Sequence, residues 1–254
     1  AVRNSSHYGI AGYYADMAAK EGMVGMSFTN AHPSIAPTFG VEPMLGTNPI
    51  AFSAPTDETF PFHFDAATSI APRGKIEVAA RAGKPIPAGW VIRKDGSLVT
   101  DSTNLIEEMN DCKAALLPIG GSGELMGGHK GYGLATVVEI LSAAFQDGAF
   151  LSELHDTDHE GNIHPLRIGH FFLVINVESF LPLERFKKTA GDIVRELRES
   201  PKAPGEKRIY SAGEKADAIT RRVTEEGIEI PPGLQKNLNA LRAELNLTGH
   251  DLGF

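Results

Sequence analysis

Residues 116–133 read Leu-Leu-Pro-Ile-Gly-Gly-Ser-Gly-Glu-Leu-Met-Gly-Gly-His-Lys-Gly-Tyr-Gly, and they run straight into Leu134–Phe145, which is apolar on nearly every side. The pattern predicts a glycine-rich turn feeding a buried helix. A phosphate site needs close backbone approach, free N–H groups and the positive end of a helix. Gly127, Gly128, Gly131 and Gly133, with Lys130 among them, supply all three. Neither familiar phosphate motif is met. Met126 stands where the dinucleotide fingerprint beginning at Gly121 and Gly123 needs its third glycine, and His129 separates Gly128 from Lys130 where a P-loop joins them. Local sequence leaves two readings, a phosphate turn of another fold or a tight structural turn.

Strands and helices intermix on either side. Ser5-Ser6 followed by Ile10, Tyr13, Tyr14, Met17 and Ala18 predicts a capped helix stopped by Gly22. Met23–Thr29 reads as a buried strand, and 30–46 as an ordered loop punctuated by Pro33, Pro37, Pro43, Gly40 and Gly46. Ile50–Ala54 and Phe60–Thr68 read as strands, 73–82 as a helix, and Asp95-Gly96 as the turn of a hairpin. Further on, 152–169 is a polar loop and Gly169–Val177 the strongest strand. Leu183–Glu199 is an amphipathic helix with Phe186, Ile193, Val194 and Leu197 as its buried stripe. Lys215–Glu226 and Leu234–Leu247 are helices. The class is α/β or α+β, with a helical C-terminal part.

Composition narrows the function. A length of 254 residues fits roughly one to two domains. Hydrophobic residues at 42% and charged residues at 22% are ordinary globular usage, which argues against disorder or a rod. The net charge of −8 lacks the basic footprint of a nucleic-acid binder, so no nucleic-acid partner is expected. Apolar runs fall well short of the ~20 residues of a membrane span. With Cys112 as the one cysteine, no intramolecular disulfide forms, and a reducing, cytoplasmic setting is expected.

Several residues carry possible chemistry. His7 follows two serines at the expected helix start, where the positive dipole end favours a neutral ring, able to take a proton from a hydroxyl or polarise a carbonyl. The plain alternative is a histidine that caps or packs a helix end. Asp65, at a strand end after Phe62-His-Phe, reads as a hydroxyl-binding or capping carboxylate, and Glu214 in Ser-Ala-Gly-Glu-Lys is similar. His155, His159, His164 and His170 invite a metal reading, but Asp156, Asp158, Gly161 and Pro165 make the segment a loop, so no metal is expected.

Taken in order, Asn4-Ser-Ser-His-Tyr-Gly9, Gly46-Thr-Asn-Pro-Ile50, Phe64-Asp-Ala-Ala-Thr-Ser69, Gly128-His-Lys-Gly-Tyr-Gly-Leu-Ala135, Gly169-His-Phe-Phe172 and Ala212-Gly-Glu214 resemble the malate/L-lactate dehydrogenase family that is unrelated to Rossmann-type enzymes. Its relatives include ureidoglycolate, sulfolactate and diketogulonate oxidoreductases. The resemblance implies an α/β, mixed-sheet, non-Rossmann NAD(P)-binding fold, a homodimer, and hydride transfer between NAD or NADP and a 2-hydroxy acid or its 2-oxo acid, such as malate or L-lactate. It implies that His7 acts in acid/base catalysis, and that Asp65, Ala66, Ala67, Thr68, Ser69, Lys130, Gly131, Gly213, Glu214 and Lys215 bind the cofactor. The glycine-rich turn is then a phosphate site of a different fold.

The domains expected on this basis are 1–30, part of a substrate and catalytic domain; 31–180, the cofactor domain; and 181–254, a helical region packing back on the first. The family carries roughly another hundred residues before the Asn-Ser-Ser-His motif, including a further histidine and an arginine that clamps the substrate carboxylate. The given sequence is therefore expected to lack an upstream catalytic segment. Two alternatives accompany the dehydrogenase reading: a cyclic imino-acid reductase of the same family, and a noncatalytic dinucleotide-binding or dimerisation fragment.

Overall fold

Val24–Thr29 (β2) is buried on both faces because helices cover both sides of the sheet it centres. It pairs antiparallel with Ile50–Ala54 (β3) and Ile168–Ile175 (β7). Val2–Ser5 (β1) adds to β7 and Phe62–Ala66 (β4) to β3, giving the order β1-β7-β2-β3-β4. Val91–Arg93 (β5) and Ala114–Leu116 (β6) form a second, two-stranded sheet. The remaining elements are helices Ala11–Lys20 (α1), Arg73–Arg81 (α2), Leu105–Asn110 (α3), Gly128–Ala143 (α4), Leu183–Glu199 (α5), Glu214–Glu226 (α6) and Pro232–Glu244 (α7). This is a computed structural model, and it describes residues 1–157, 162–247, 249 and 253. The chain groups into two units, Ala1–Gly213 and Glu214–Phe254.

Every pairing between these strands is antiparallel, so the expected mixed sheet is corrected to an antiparallel one within a mixed α/β fold. The first helix is corrected too. Residues 2–5 are extended because β7 offers a free edge, with Val2 opposite His170 and Ser5 opposite Ile168. The helix begins only at Ala11, and no side chain of its N-cap residue Ile10 caps it. α1 covers the sheet with small side chains, Ala11, Ala15, Ala18 and Ala19, which let its backbone come close to β2.

A separate core joins the two-stranded sheet to α2, α3 and α4. Ile35, Ile76, Val91, Val99, Leu105, Leu116 and Ala135 meet there, essentially without solvent contact. At about 1.5–3 kcal/mol for each large aliphatic side chain, this burial fixes α4 relative to the loop that precedes it. The sequence reading of α4 as buried all round is corrected: Leu134, Val137 and Ile140 stay exposed, as does Phe145 just beyond its end. On α5 the core side takes Val194 and Gly191, while Ile193 and Leu197 face solvent, so only part of the expected stripe is buried.

One carboxyl group sits inside this packing. Glu139 of α4 is only 6% exposed. Its oxygens accept from Asn48 Nδ2 at 2.8 Å, the Leu151 N–H at 3.0 Å and Asn30 Nδ2 at 3.5 Å. Burial pushes its pKa above the ordinary 4.5, against the pull of those donors. A glutamine here would offer one acceptor oxygen and turn an NH2 toward other donors. Glu139→Gln is expected to cost about 1–3 kcal/mol of unfolding free energy at acidic pH, the penalty of an unsatisfied buried group. A raised native pKa gives stability that is full below 4.5 and lost as pH rises through the native value. Urea titrations should therefore show the gap between wild type and variant narrowing as pH rises.

Candidate functional site

Strand register decides what meets beneath α1. Ser27 lies opposite Ala51 and Phe172, Ala51 opposite Asp65, Ser53 opposite His63, and Thr29 opposite His170. Side chains alternate along a strand, so Ser27, Thr29, Ser53, His63, Asp65 and His170 share one face. Asp65 Oδ2 accepts the Gly12 N–H at 2.7 Å. It satisfies one of the N–H groups that the start of α1 leaves unpaired and places a carboxylate at the positive end of that helix. Of the two sequence readings for Asp65, capping is the one the contacts match. His63 Nδ1 is 3.4 Å from Ser53 Oγ and 4.0 Å from Asp16 Oδ1, and its backbone N–H donates to the Ala212 carbonyl at 3.2 Å. That bond brings Gly213 to the same edge.

His7 stands in the exposed turn between β1 and α1, four residues before the helix, so the argument from the helix dipole falls. The Gly9 N–H donates to its Nδ1 at 3.1 Å. Nδ1 is thus an acceptor, and the neutral ring carries its proton on Nε2. Tyr8 follows and is held on several sides. Its hydroxyl is 2.9 Å from Ser27 Oγ, and its carbonyl accepts from the Tyr14 hydroxyl at 2.9 Å. Its ring stacks on His170 and on Tyr14. Burial, with help from Asp65 and Tyr14, pushes the Tyr8 phenol up to about 12.

The glycine-rich turn joins this region through Pro118 and Ile119. Ile119 N–H donates to the Thr68 carbonyl at 2.8 Å and Ile70 N–H to the Leu117 carbonyl at 2.9 Å, while Ser69 bridges to Pro118. Gly131 lies against the Ile119 backbone, where a side chain would collide with the carbonyl. Ala66 and Ala67 lead from β4 into this crossing, so Asp65–Ser69 and Lys130-Gly131 are brought together. Thr68 points inward: its hydroxyl faces the Thr47 and Asn48 carbonyls, each at 3.1 Å. Ser69 Oγ is buried without a hydrogen-bond partner. Gly127 takes φ +87° as the N-cap of α4, a conformation glycine adopts without strain, and Lys130 is exposed in the first turn. Glu214 and Lys215 open α6 in the second unit.

His155 Nδ1 lies 3.3 Å from His32 Nε2, and His159 lies outside the described residues. Among the described residues no three His, Cys, Asp or Glu side chains are placed to hold a metal ion. A cavity of about 530 Å³ runs along α4, lined by Met44, Leu45, Tyr132, Glu139, Ile140 and Phe150; its lining does not include His7, Asp65–Ser69 or Lys130. Sequence reasoning passed over Tyr8, Asn30, Asn48 and Glu139, and gave His170 no role beyond the metal option. Glu139 had a visible signal, a lone carboxylate between Val138 and Ile140 on an apolar helix.

The profile of malate/L-lactate dehydrogenases matches residues 1–239. The chain belongs to that family. It is 45% identical to the malate dehydrogenase of Pyrococcus horikoshii over 248 residues, 98% of this chain and 66% of that protein. It is 33% identical to the malate/(S)-sulfolactate dehydrogenase of Methanothermus fervidus over 97% of this chain and 66% of that one. The crystal structure of the malate dehydrogenase from Entamoeba histolytica superimposes with a TM-score of 0.92 at 43% identity, covering all of this chain and 69% of that chain. The chain thus spans about two thirds of the length of the relatives it matches.

Burial holds the His170 imidazole below its ordinary 6.5, outweighing the Ser6 backbone, which favours the charged ring; nearby His7 adds to the lowering. The native ring refuses a proton that the unfolded chain takes up, so its contribution to stability is full above 6.5 and lost as pH falls below it. Urea unfolding at pH 7.5 and 5.5 should show a smaller loss of stability at the lower pH in His170→Phe than in the wild type.

Proposed function

We propose that this chain belongs to an NAD(P)-dependent oxidoreductase that interconverts a 2-hydroxy acid and its 2-oxo acid, with malate foremost. The observation that carries the reading is the junction of the Asp65–Ser69 segment with a glycine-lined helix start that bears the exposed Lys130; the exposed His7 imidazole, with a defined tautomer, stands beside His170 of the same sheet. Identity of 45% to a malate dehydrogenase supports malate as the first substrate to test.

The residues fit a dinucleotide. The start of α4 offers N–H groups and a positive dipole end to a phosphate, as helix starts do. Lys130 adds a charge beside them, and the orphaned Ser69 hydroxyl lacks a partner that a bound polar group would supply. When bound, the nicotinamide supplies the hydride acceptor or donor. The chain's own work is to orient and to move a proton. His7 holds its Nε2–H toward the substrate oxygen and, as a hydrogen-bond donor, polarises the carbonyl; to take a proton at Nε2 the ring must release the Gly9 N–H and carry its proton on Nδ1. Asp65, Ala66, Ala67 and Gly213 line the cofactor with backbone and small side chains. The binding mode is non-Rossmann and takes NAD or NADP. A homodimer in the cytoplasm belongs to the same proposal; the exposed apolar side chains of α4 support the dimer.

Two measurements test the reading. In a version carrying the full length of the relatives, His7→Ala should lower kcat on oxaloacetate by about 10²–10⁴-fold, the usual contribution of an acid/base group. An unchanged kcat sinks the assignment. Lys130→Ala should weaken NADH or NADPH binding by about 1.5–3 kcal/mol in calorimetry, the scale of a charge-assisted hydrogen bond. Equal affinities would make the glycine-rich turn purely structural.

A further inference from the structure

His7 occupies an exposed turn, the kind of segment that is ordinarily mobile. Its one side-chain hydrogen bond given by the structure comes from Gly9, within the same turn, and so does not tie the turn to the sheet. The tie is made next door. The Tyr8 ring lies 4.2 Å from the ring of His170 at an interplanar angle of 9°, and 4.7 Å from that of Tyr14, again at 9°. Phe172 packs against these rings at 5.3–6.3 Å.

His170 is the fixed member of the stack. It is 3% exposed, and its Nδ1 is 2.8 Å from Thr29 Oγ1. The Thr29 hydroxyl faces the Asn30 carbonyl at 2.8 Å and the Gly169 carbonyl at 3.1 Å, so it donates there and must accept from His170. Nδ1 therefore carries the proton, and the strand-to-strand contact with Thr29 sets the tautomer. A neutral ring is what this place needs. An imidazolium stacked on Tyr8 would put a like charge beside His7 whenever His7 holds a proton.

We propose that His170 is a positioning residue for His7: its ring, oriented by Thr29, is the platform on which Tyr8 stacks, and Tyr8 in turn holds the Ser6–Ile10 turn so that His7 presents Nε2 outward. The functional weight of this rests on the acid/base reading of His7, but the ordering of the turn does not, so the two fail separately. The experiment is nuclear magnetic resonance on the 254-residue chain with ¹⁵N-labelled backbone and histidine side chains. It reads exchange of the Gly9 amide, which is protected while it donates to His7, and the ring signals of His7.

His170→Ala is expected to speed Gly9 exchange about five- to tenfold, the fold-change equivalent of a lost stacking contact, and to move the His7 ring signals toward those of a free histidine. His170→Phe keeps a flat ring on Tyr8 and should restore both readouts most of the way. Thr29→Val, which removes the acceptor at almost constant volume, should give an intermediate effect. A merely structural His170 would lower the Tm of the alanine variant while leaving Gly9 exchange and the His7 signals as in the wild type, and that result overturns the proposal. If His170→Ala does not fold, Thr29→Val with unchanged Gly9 and His7 signals overturns it equally. Loss of order at His7 together with an active His7→Ala enzyme would instead keep the positioning and remove the acid/base reading.

Discussion

The Glu139 carboxyl has almost no water to bond, so its oxygens must find donors inside the protein, and the donors they find set the spacing of everything near the site. Asn48 reaches it from the turn before β3, Asn30 from the end of β2, and the Leu151 amide from the segment before β7. Each asparagine also has a second task. Asn48 Nδ2 donates to the Ala135 carbonyl of α4 at 3.0 Å. Asn30 Oδ1 accepts the Gly169 N–H at 2.8 Å, and its Nδ2 donates to the Ala149 carbonyl at 3.0 Å. A single buried group thus registers α4 against three segments of chain that sequence keeps far apart. Buried polar groups of this kind are costly unless every partner is in place, which is why they specify one arrangement.

Both halves of the site hang from that registration. The Asn48 carbonyl faces the Thr68 hydroxyl, and Thr68 in turn carries Ile119, against which Gly131 packs. The glycine-rich turn is therefore placed by α4 on one side and by the strand exit after β4 on the other. At the opposite end Asn30 fixes Gly169, and the next residue is His170, opposite Thr29. The geometry beneath Tyr8 follows from the same carboxyl that fixes the glycine turn.

What could be read from sequence followed from local chemistry. The strands at 24–29, 50–54 and 168–175 announce themselves as apolar runs, α5 as an amphipathic stretch and α6 as a helix close to its observed bounds. The helix expected at Ser5-Ser6 failed because two serines are a local signal, and an open edge of β7, which only the fold supplies, overrode it. α4 failed differently. Apolar residues on nearly every side imply burial, but composition alone does not say what covers a face. Asp65, the glycine turn and Ser69 were found as parts, but their meeting through Pro118 and Ile119 depends on contacts between segments some fifty residues apart, which local spacing does not encode. Tyr8 and His170 escaped for the same reason: each is an ordinary aromatic in its own strand or turn, and becomes informative only when stacked.

The charges around His7 complete the argument. Tyr8, with its phenol pushed up to about 12, stays protonated throughout the neutral range, and His170, held below 6.5 by burial, stays neutral there. Neither buried ring competes for a proton near neutral pH, and neither changes charge when one arrives. Asp65 supplies the nearby negative charge, but its Oδ2 is engaged with the Gly12 amide, where it stabilises the start of α1. A proton exchanged in this corner therefore meets a surrounding of fixed charge, with little reorganisation required at the moment of transfer. Such preorganisation is how a protein lowers the cost of moving charge. It follows here from stacking a half-buried tyrosine on a buried histidine whose strand is held in register by Asn30 at the neighbouring Gly169, a contact that does not involve the His7 ring.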